Sequence, residues 1–182
     1  MNSSEASSLV TRYVIVLIVG ILNLLLGTYG IFYIIFTPLT VYPSYWVFKI
    51  LYGATLISQN VIFFKGYYAT IIPACVAGSA YYLLLILNLT TPMNLGKRVL
   101  NLLYLFITFL VLNTVRIVIF GTLLFKGYQY FDITHITVWY FGSTLLVVLI
   151  WFSSVWIFKI KKIPIYTDLS MLSKEAKKPQ KI

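Results

Sequence analysis

Long apolar runs alternate with short polar clusters along this chain. Residues 13–36, 74–89, 99–125 and 135–158 are predominantly apolar and have the length that crosses a hydrocarbon core of roughly 30 Å, the second run being slightly short. Residues 37–44 (TPLTVYPS) contain two prolines and read as a turn. Residues 45–58 are apolar but short, carry Lys49 and run into Gln59-Asn60, which suggests an amphipathic helix lying in the outer interface. Two β-prone runs, residues 61–64 and 67–72, flank Lys65-Gly66 and read as a hairpin. That hairpin belongs at the membrane surface, because hydrocarbon does not tolerate an open sheet edge. Residues 90–98 and 126–134 are polar loops. The pattern predicts an all-α integral membrane protein of about four transmembrane helices. An outer interfacial helix and a short β-hairpin precede the helix that bears the cysteine. A single transmembrane domain, residues 13–158, then lies between a polar N-terminal segment, residues 1–12, and a basic tail, residues 159–182, expected to be unstructured.

Composition agrees with the pattern. Of 182 residues, 60% are hydrophobic and 10% charged, against about a quarter charged in a soluble domain. The apolar run after residue 12 lacks a convincing cleavage site, so it reads as a retained helix rather than a leader. The one cysteine excludes an intrachain disulfide and a Cys-rich metal site, and no cofactor is expected. A formal charge of +10 raises the question of nucleic acid, but its placement argues against that partner. Seven lysines fall between Lys159 and Lys181, a distribution suited to topology and a lipid surface. With four spans and the N-terminus inside, Arg12, Lys97, Arg98 and the tail lysines are cytoplasmic, whereas Lys49, Lys65 and Lys126 are outside. Counting residues 45–58 as a fifth span would place the basic tail outside and break the positive-inside rule.

This topology gathers three unusual residues at the outer leaflet. Cys75 follows Pro73, which suits the first turn of a helix, where free N–H groups and the dipole favour a thiolate. Arg116 is the only charge in the third run, about 14 Å of helix rise below Phe125. His135, the only histidine, opens the fourth run at the same face. Asn113 stands one turn before Arg116 and shares its helix face. An arginine inside a span is costly and by default marks a function; the alternative is a structural arginine snorkelling to the interface. Cys75 likewise has a plainer reading as a small core hydrophobe, and His135 as a boundary residue.

The blocks Ala74-Cys75-Val76-Ala77-Gly78-Ser79 and Asn113-Thr114-Val115-Arg116-Ile117, with the later His135, resemble the exosortase/archaeosortase family, in particular its small archaeal forms. The resemblance covers roughly residues 59–158, and the Asn-x-x-Arg block is its most specific part. Many relatives carry glycine two residues after the cysteine; here Ala77 holds that position and glycine comes third, at Gly78. The resemblance implies a membrane-embedded cysteine transpeptidase acting on the C-terminal sorting signals of exported proteins. Cys75 would be the nucleophile and Arg116 and His135 its partners, with a membrane lipid supplying the acceptor amine.

The residues themselves suit that chemistry. A Cys75 thiolate can attack a peptide carbonyl, His135 can carry the proton and Arg116 can hold the thiolate or the oxyanion. Asp132, three residues before His135, either orients the ring or is a solvated loop residue or helix cap. A second reading makes the chain a non-catalytic membrane scaffold, with Arg116 pairing with a partner helix and Cys75 serving as packing. Asn88-Leu89-Thr90 fits a glycosylation acceptor but falls on the inner side. Tyr128, Tyr130, Phe131, Trp139 and Tyr140 read as an interfacial belt or as the lining of a substrate groove.

The charge distribution makes a direct prediction about orientation. Reporter fusions after Ser58, Lys65 and Lys126 should all read as outside, and a cytoplasmic signal at Lys65 would remove the proposed active-site side.

Overall fold

Mostly helical, the chain contains among its described residues four helices long and apolar enough to cross a membrane: Ile31–Tyr52, Pro73–Thr90, Leu95–Phe125 and Phe131–Ile157. The computed structural model describes residues 3–26 and 30–160. In chain order these form α1 (Ser3–Leu26), α2 (Ile31–Tyr52), three strands β1 (Thr55–Ser58), β2 (Val61–Phe64) and β3 (Tyr67–Thr70), then α3 (Pro73–Val76), α4 (Gly78–Thr90), α5 (Leu95–Phe125), α6 (Phe131–Thr137), a π-helical turn (Val138–Gly142) and α7 (Ser143–Ile157). Many large apolar side chains face outward, among them Leu24, Ile50, Phe141 and Trp156. The arrangement is compatible with a multi-pass membrane protein. The expected basic tail lies outside the described residues from residue 161 onward.

The first half of the chain differs from the expectation. The run 13–36 is not one span: α1 ends at Leu26 and α2 begins at Ile31. Residues 37–44 are not a turn, because Pro38 and Pro43 lie inside α2. Each proline removes one helical N–H bond, but in an apolar helix neighbouring groups compensate. The buried Ser44 hydroxyl donates to the Thr40 carbonyl, at 2.7 Å, within the turn that Pro43 weakens. The interfacial helix over residues 45–58 is likewise absent. Its first half is the end of α2 and its last four residues are β1. Lys49 sits in the last turn of α2, where a cation suits the helix dipole, with its ammonium 5.0 Å from the Trp46 ring centroid and 5.7 Å from that of Tyr45. Gly53, left-handed at φ 67°, ends the helix with its N–H on the Lys49 carbonyl.

The expected hairpin is β2–β3, paired antiparallel from Val61↔Thr70 to Phe64↔Tyr67. Its two-residue turn has positive φ at both Lys65 and Gly66, which matches the strand twist. β1 adds a third antiparallel strand, with a bulge between Leu56 and Ser58. The inward face of β2 is Ile62 and Phe64, both buried.

Helix α5 packs against α2, α4 and α7. Midway along it, Phe36 of α2 stacks on Tyr81 of α4 at 3.5 Å between centroids, and Phe106 of α5 meets both rings edge-on. At the sheet end Phe48 stacks on Phe64 at 4.6 Å and lies directly on Gly121. A Cβ there would come within 2.4 Å of the Phe48 ring, so only glycine lets α2 and the sheet close on α5.

The opposite end is closed by Arg98. Its Nη1 donates to the carbonyls of Asn88 (2.6 Å) and Leu89 (2.9 Å), and its Nη2 to those of Thr91 (3.0 Å) and Met93 (3.4 Å). In return the Asn88 side-chain amide donates to the Arg98 carbonyl at 3.2 Å. The last carbonyls of α4 have no helical partner, and one planar fork from α5 satisfies several of them. Asn88 is fully buried in this clamp, which withholds it from glycosylation in the folded protein. Arg98→Ala should lower stability by about 2 kcal/mol, the worth of charge-assisted hydrogen bonds. Arg98→Lys should recover only part, because an ammonium cannot span both carbonyl pairs. The unfolding midpoint of each variant in detergent checks this.

Candidate functional site

The site begins where β3 turns into α3. Ile72 is extended, and Pro73 occupies the first helical position, where its missing N–H costs nothing. Cys75 follows in the same turn, its N–H donating to the Ile72 carbonyl at 2.8 Å. The long cysteine-bearing helix expected from sequence is broken here. Ala77 adopts the left-handed conformation (φ 57°, ψ 47°), ends α3 after one turn and starts α4 in a new direction. A single turn carries little macrodipole, so the groups around Cys75 matter more than the helix end. Gly78 follows because the Tyr33 ring of α2 lies against it; a Cβ there would sit 2.9 Å from that ring.

Asn113, Arg116 and Phe120 form one stripe of α5, spaced at one-turn intervals. Asn113 is fully buried and its Nδ2 donates to the Cys75 carbonyl at 2.9 Å. Its Oδ1 is buried without a partner. Arg116, one turn further on, is half-buried and donates from Nη1 to the Ser143 hydroxyl of α7. Phe120, a turn beyond that, meets His135 of α6 edge-on at 5.0 Å between centroids, and Phe131 stacks on the imidazole at 5.5 Å and 7° while itself touching Phe120 edge-on. Two aromatic rings thus fix the plane of the histidine.

Cys75, Arg116 and His135 line one cavity of about 230 Å³. Ile72, Ala74 and Phe120 supply an apolar wall, and the exposed Ile136 and Trp139 complete the lining. Separations of 41 residues between Cys75 and Arg116 and 19 between Arg116 and His135 are closed by the packing of α3, α5 and α6. Among the described residues, Arg116 and His135 are the two charged or titratable groups that face the thiol across this space.

Asn113 touches the site through the Cys75 backbone rather than through the cavity. Asp132 is exposed in the first turn of α6, does not line the cavity and makes no hydrogen bond to His135. Of the aromatic group 128–140, Trp139 lines the cavity and Phe131 stacks on His135, whereas Tyr128, Tyr130 and Tyr140 are exposed. Sequence reasoning missed Ser143. Its signal was the small polar triplet Gly142-Ser143-Thr144 inside an apolar run, which carries meaning only once the π-helical turn sets its direction. Among the described residues no group of three His, Cys, Asp or Glu side chains could hold a metal ion.

The left-handed Ala77 is a local strain, because a Cβ disfavours that region by about 1 kcal/mol or more. Ala77→Gly should therefore raise stability by up to about 1 kcal/mol, and Ala77→Val should lower it by more than that. Unfolding midpoints in detergent measure both, and equal midpoints for all three proteins would contradict the strain. Comparison with known proteins found no matching family model, no matching curated protein and no matching solved structure.

Proposed function

We propose that this chain is a membrane-embedded cysteine transpeptidase of the exosortase/archaeosortase type, cleaving the C-terminal sorting signals of exported proteins. The observation that carries the reading is the meeting of Cys75, Arg116 and His135 in one cavity. A lone thiol is ordinarily packing. A thiol facing a guanidinium and an imidazole across a mostly apolar space is arranged for nucleophilic chemistry. The backbone adds support: Ala77, at the position where the resembling family carries glycine, has the left-handed conformation that glycine adopts most readily.

In the proposed reaction His135 takes the proton of the Cys75 thiol, and the thiolate attacks the carbonyl carbon of the scissile peptide. Arg116 holds the thiolate before the attack and the tetrahedral oxyanion after it. As the C–N bond breaks, His135 returns the proton to the leaving amine, and the substrate remains as a thioester on Cys75. A lipid headgroup amine then attacks the thioester, forming an amide and releasing the thiol. The lysine and arginine distribution supports a cavity at the outer side of the cell membrane, with both termini cytoplasmic. The scaffold reading is weaker, because Arg116 already donates to Ser143 and lines the cavity that holds Cys75.

Proteins of the same cell that end in a shared motif, a hydrophobic helix and a basic cluster are the substrates to test. Cys75→Ala should fold and insert yet leave them unprocessed, and Cys75→Ser should be nearly as inactive. Arg116→Gln should accumulate normally with almost no processing, and Arg116→Lys should lose on the order of a hundredfold in rate. Protein level and cleaved substrate are read in the same membranes. Wild-type processing by Cys75→Ala would overturn the assignment.

A further inference from the structure

We propose that Ser143 is the positioning residue for Arg116, and that the π-helical turn before it serves to put this hydroxyl and His135 on one face. The inference rests on the reading of Arg116 as the group that acts on the Cys75 thiol. An arginine side chain has several rotatable bonds, five N–H donors and no acceptor. Inside an apolar helix bundle it needs a fixed acceptor to hold one geometry. Among the described residues the Ser143 Oγ is the hydrogen-bond acceptor that the Arg116 side chain has, through Nη1. That contact ties one corner of the guanidinium to α7 and leaves Nη2 and Nε for the cavity.

The position of Ser143 depends on a local departure from α-helix. Its N–H donates to the Val138 carbonyl, five residues back rather than four. Along an unbroken α-helix, eight residues from His135 to Ser143 rotate the chain to faces roughly 80° apart. One extra residue taken up in a π-turn makes them equivalent to seven, within roughly 20° of each other. The turn therefore aims His135, Trp139 and Ser143 the same way. Gly142 permits it: a Cβ there would lie 2.8 Å from Val138 Cγ1, the residue that opens the turn.

Because Cys75 is the only cysteine in the chain, its alkylation reports on the site without any substrate. The experiment measures the rate of alkylation of the full-length protein in detergent by a small uncharged reagent, iodoacetamide, between pH 6 and 10. It compares wild type, Arg116→Gln, Ser143→Ala, Ser143→Thr and the Arg116→Gln/Ser143→Ala double variant, with unfolding midpoints taken alongside. Losing the cation beside the reacting thiol should slow Arg116→Gln on the order of tenfold near neutral pH. Ser143→Ala should slow alkylation roughly threefold or more in the same direction, Ser143→Thr should restore it, and the double variant should equal Arg116→Gln alone. A profile for Ser143→Ala that matches wild type, or additive effects in the double variant, would overturn the positioning role while leaving Arg116 in place. No change in Arg116→Gln would instead overturn the underlying reading, and the positioning role with it. A Ser143→Ala protein with a lowered midpoint and a slow Ser143→Thr protein would mark Ser143 as structural only and count against the proposal.

Discussion

The site depends on one hydrogen bond, from the buried Asn113 amide to the carbonyl of Cys75. The left-handed residue at Ala77 interrupts the helical ladder, and in an apolar interior a carbonyl cut off from its ladder must find another donor or pay several kcal/mol. Asn113 supplies that donor from a different helix. The broken turn that exposes the thiol is thereby fastened to the same stripe of α5 that carries Arg116. Orientation of the thiol and orientation of the cation become one property of one rod.

That rod has three stations. At one end Arg98 grips the terminal carbonyls of α4. At the other, Gly121 receives Phe48 and so seats the three-stranded sheet. Between them lie Asn113, Arg116 and Phe120, each turned toward a different partner: the turn of Cys75, the serine of α7 and the imidazole of α6. A helix of 31 residues exceeds the roughly 20 that a bilayer core requires. The excess length leaves one end of the element to carry the sheet.

Much of this was legible in the sequence where apolar length and turn chemistry agree. The last three membrane-length helices, the Lys65-Gly66 hairpin and the shared position of Cys75, Arg116 and His135 follow from run length, glycine placement and chain direction. The first of the four helices was misplaced because Pro38 and Pro43 signal a turn in water, whereas an apolar helix absorbs them. Lys49 suggested an interfacial helix, since residue type alone does not show that it rests on Trp46 at a helix end. Arg98 looked like one more topology charge, because four backbone carbonyls leave no trace in residue identity. The break at Ala77 and the π-turn were invisible for a related reason. Both are single-residue changes of helix phase, and apolar composition does not encode phase.

The order of these parts along the chain carries a consequence for biosynthesis. Translation delivers Cys75 first, then Asn113 and Arg116, and only later His135, the π-turn and Ser143. The short connection between α4 and α5, closed by Arg98, makes their pairing a local contact of the kind that forms early. The nascent protein thus holds its thiol packed against a helix before the imidazole has been synthesised. A chain truncated ahead of α6 would keep Cys75 and Arg116 but lack both His135 and Ser143, so the cavity is completed only when the last membrane-length helix arrives.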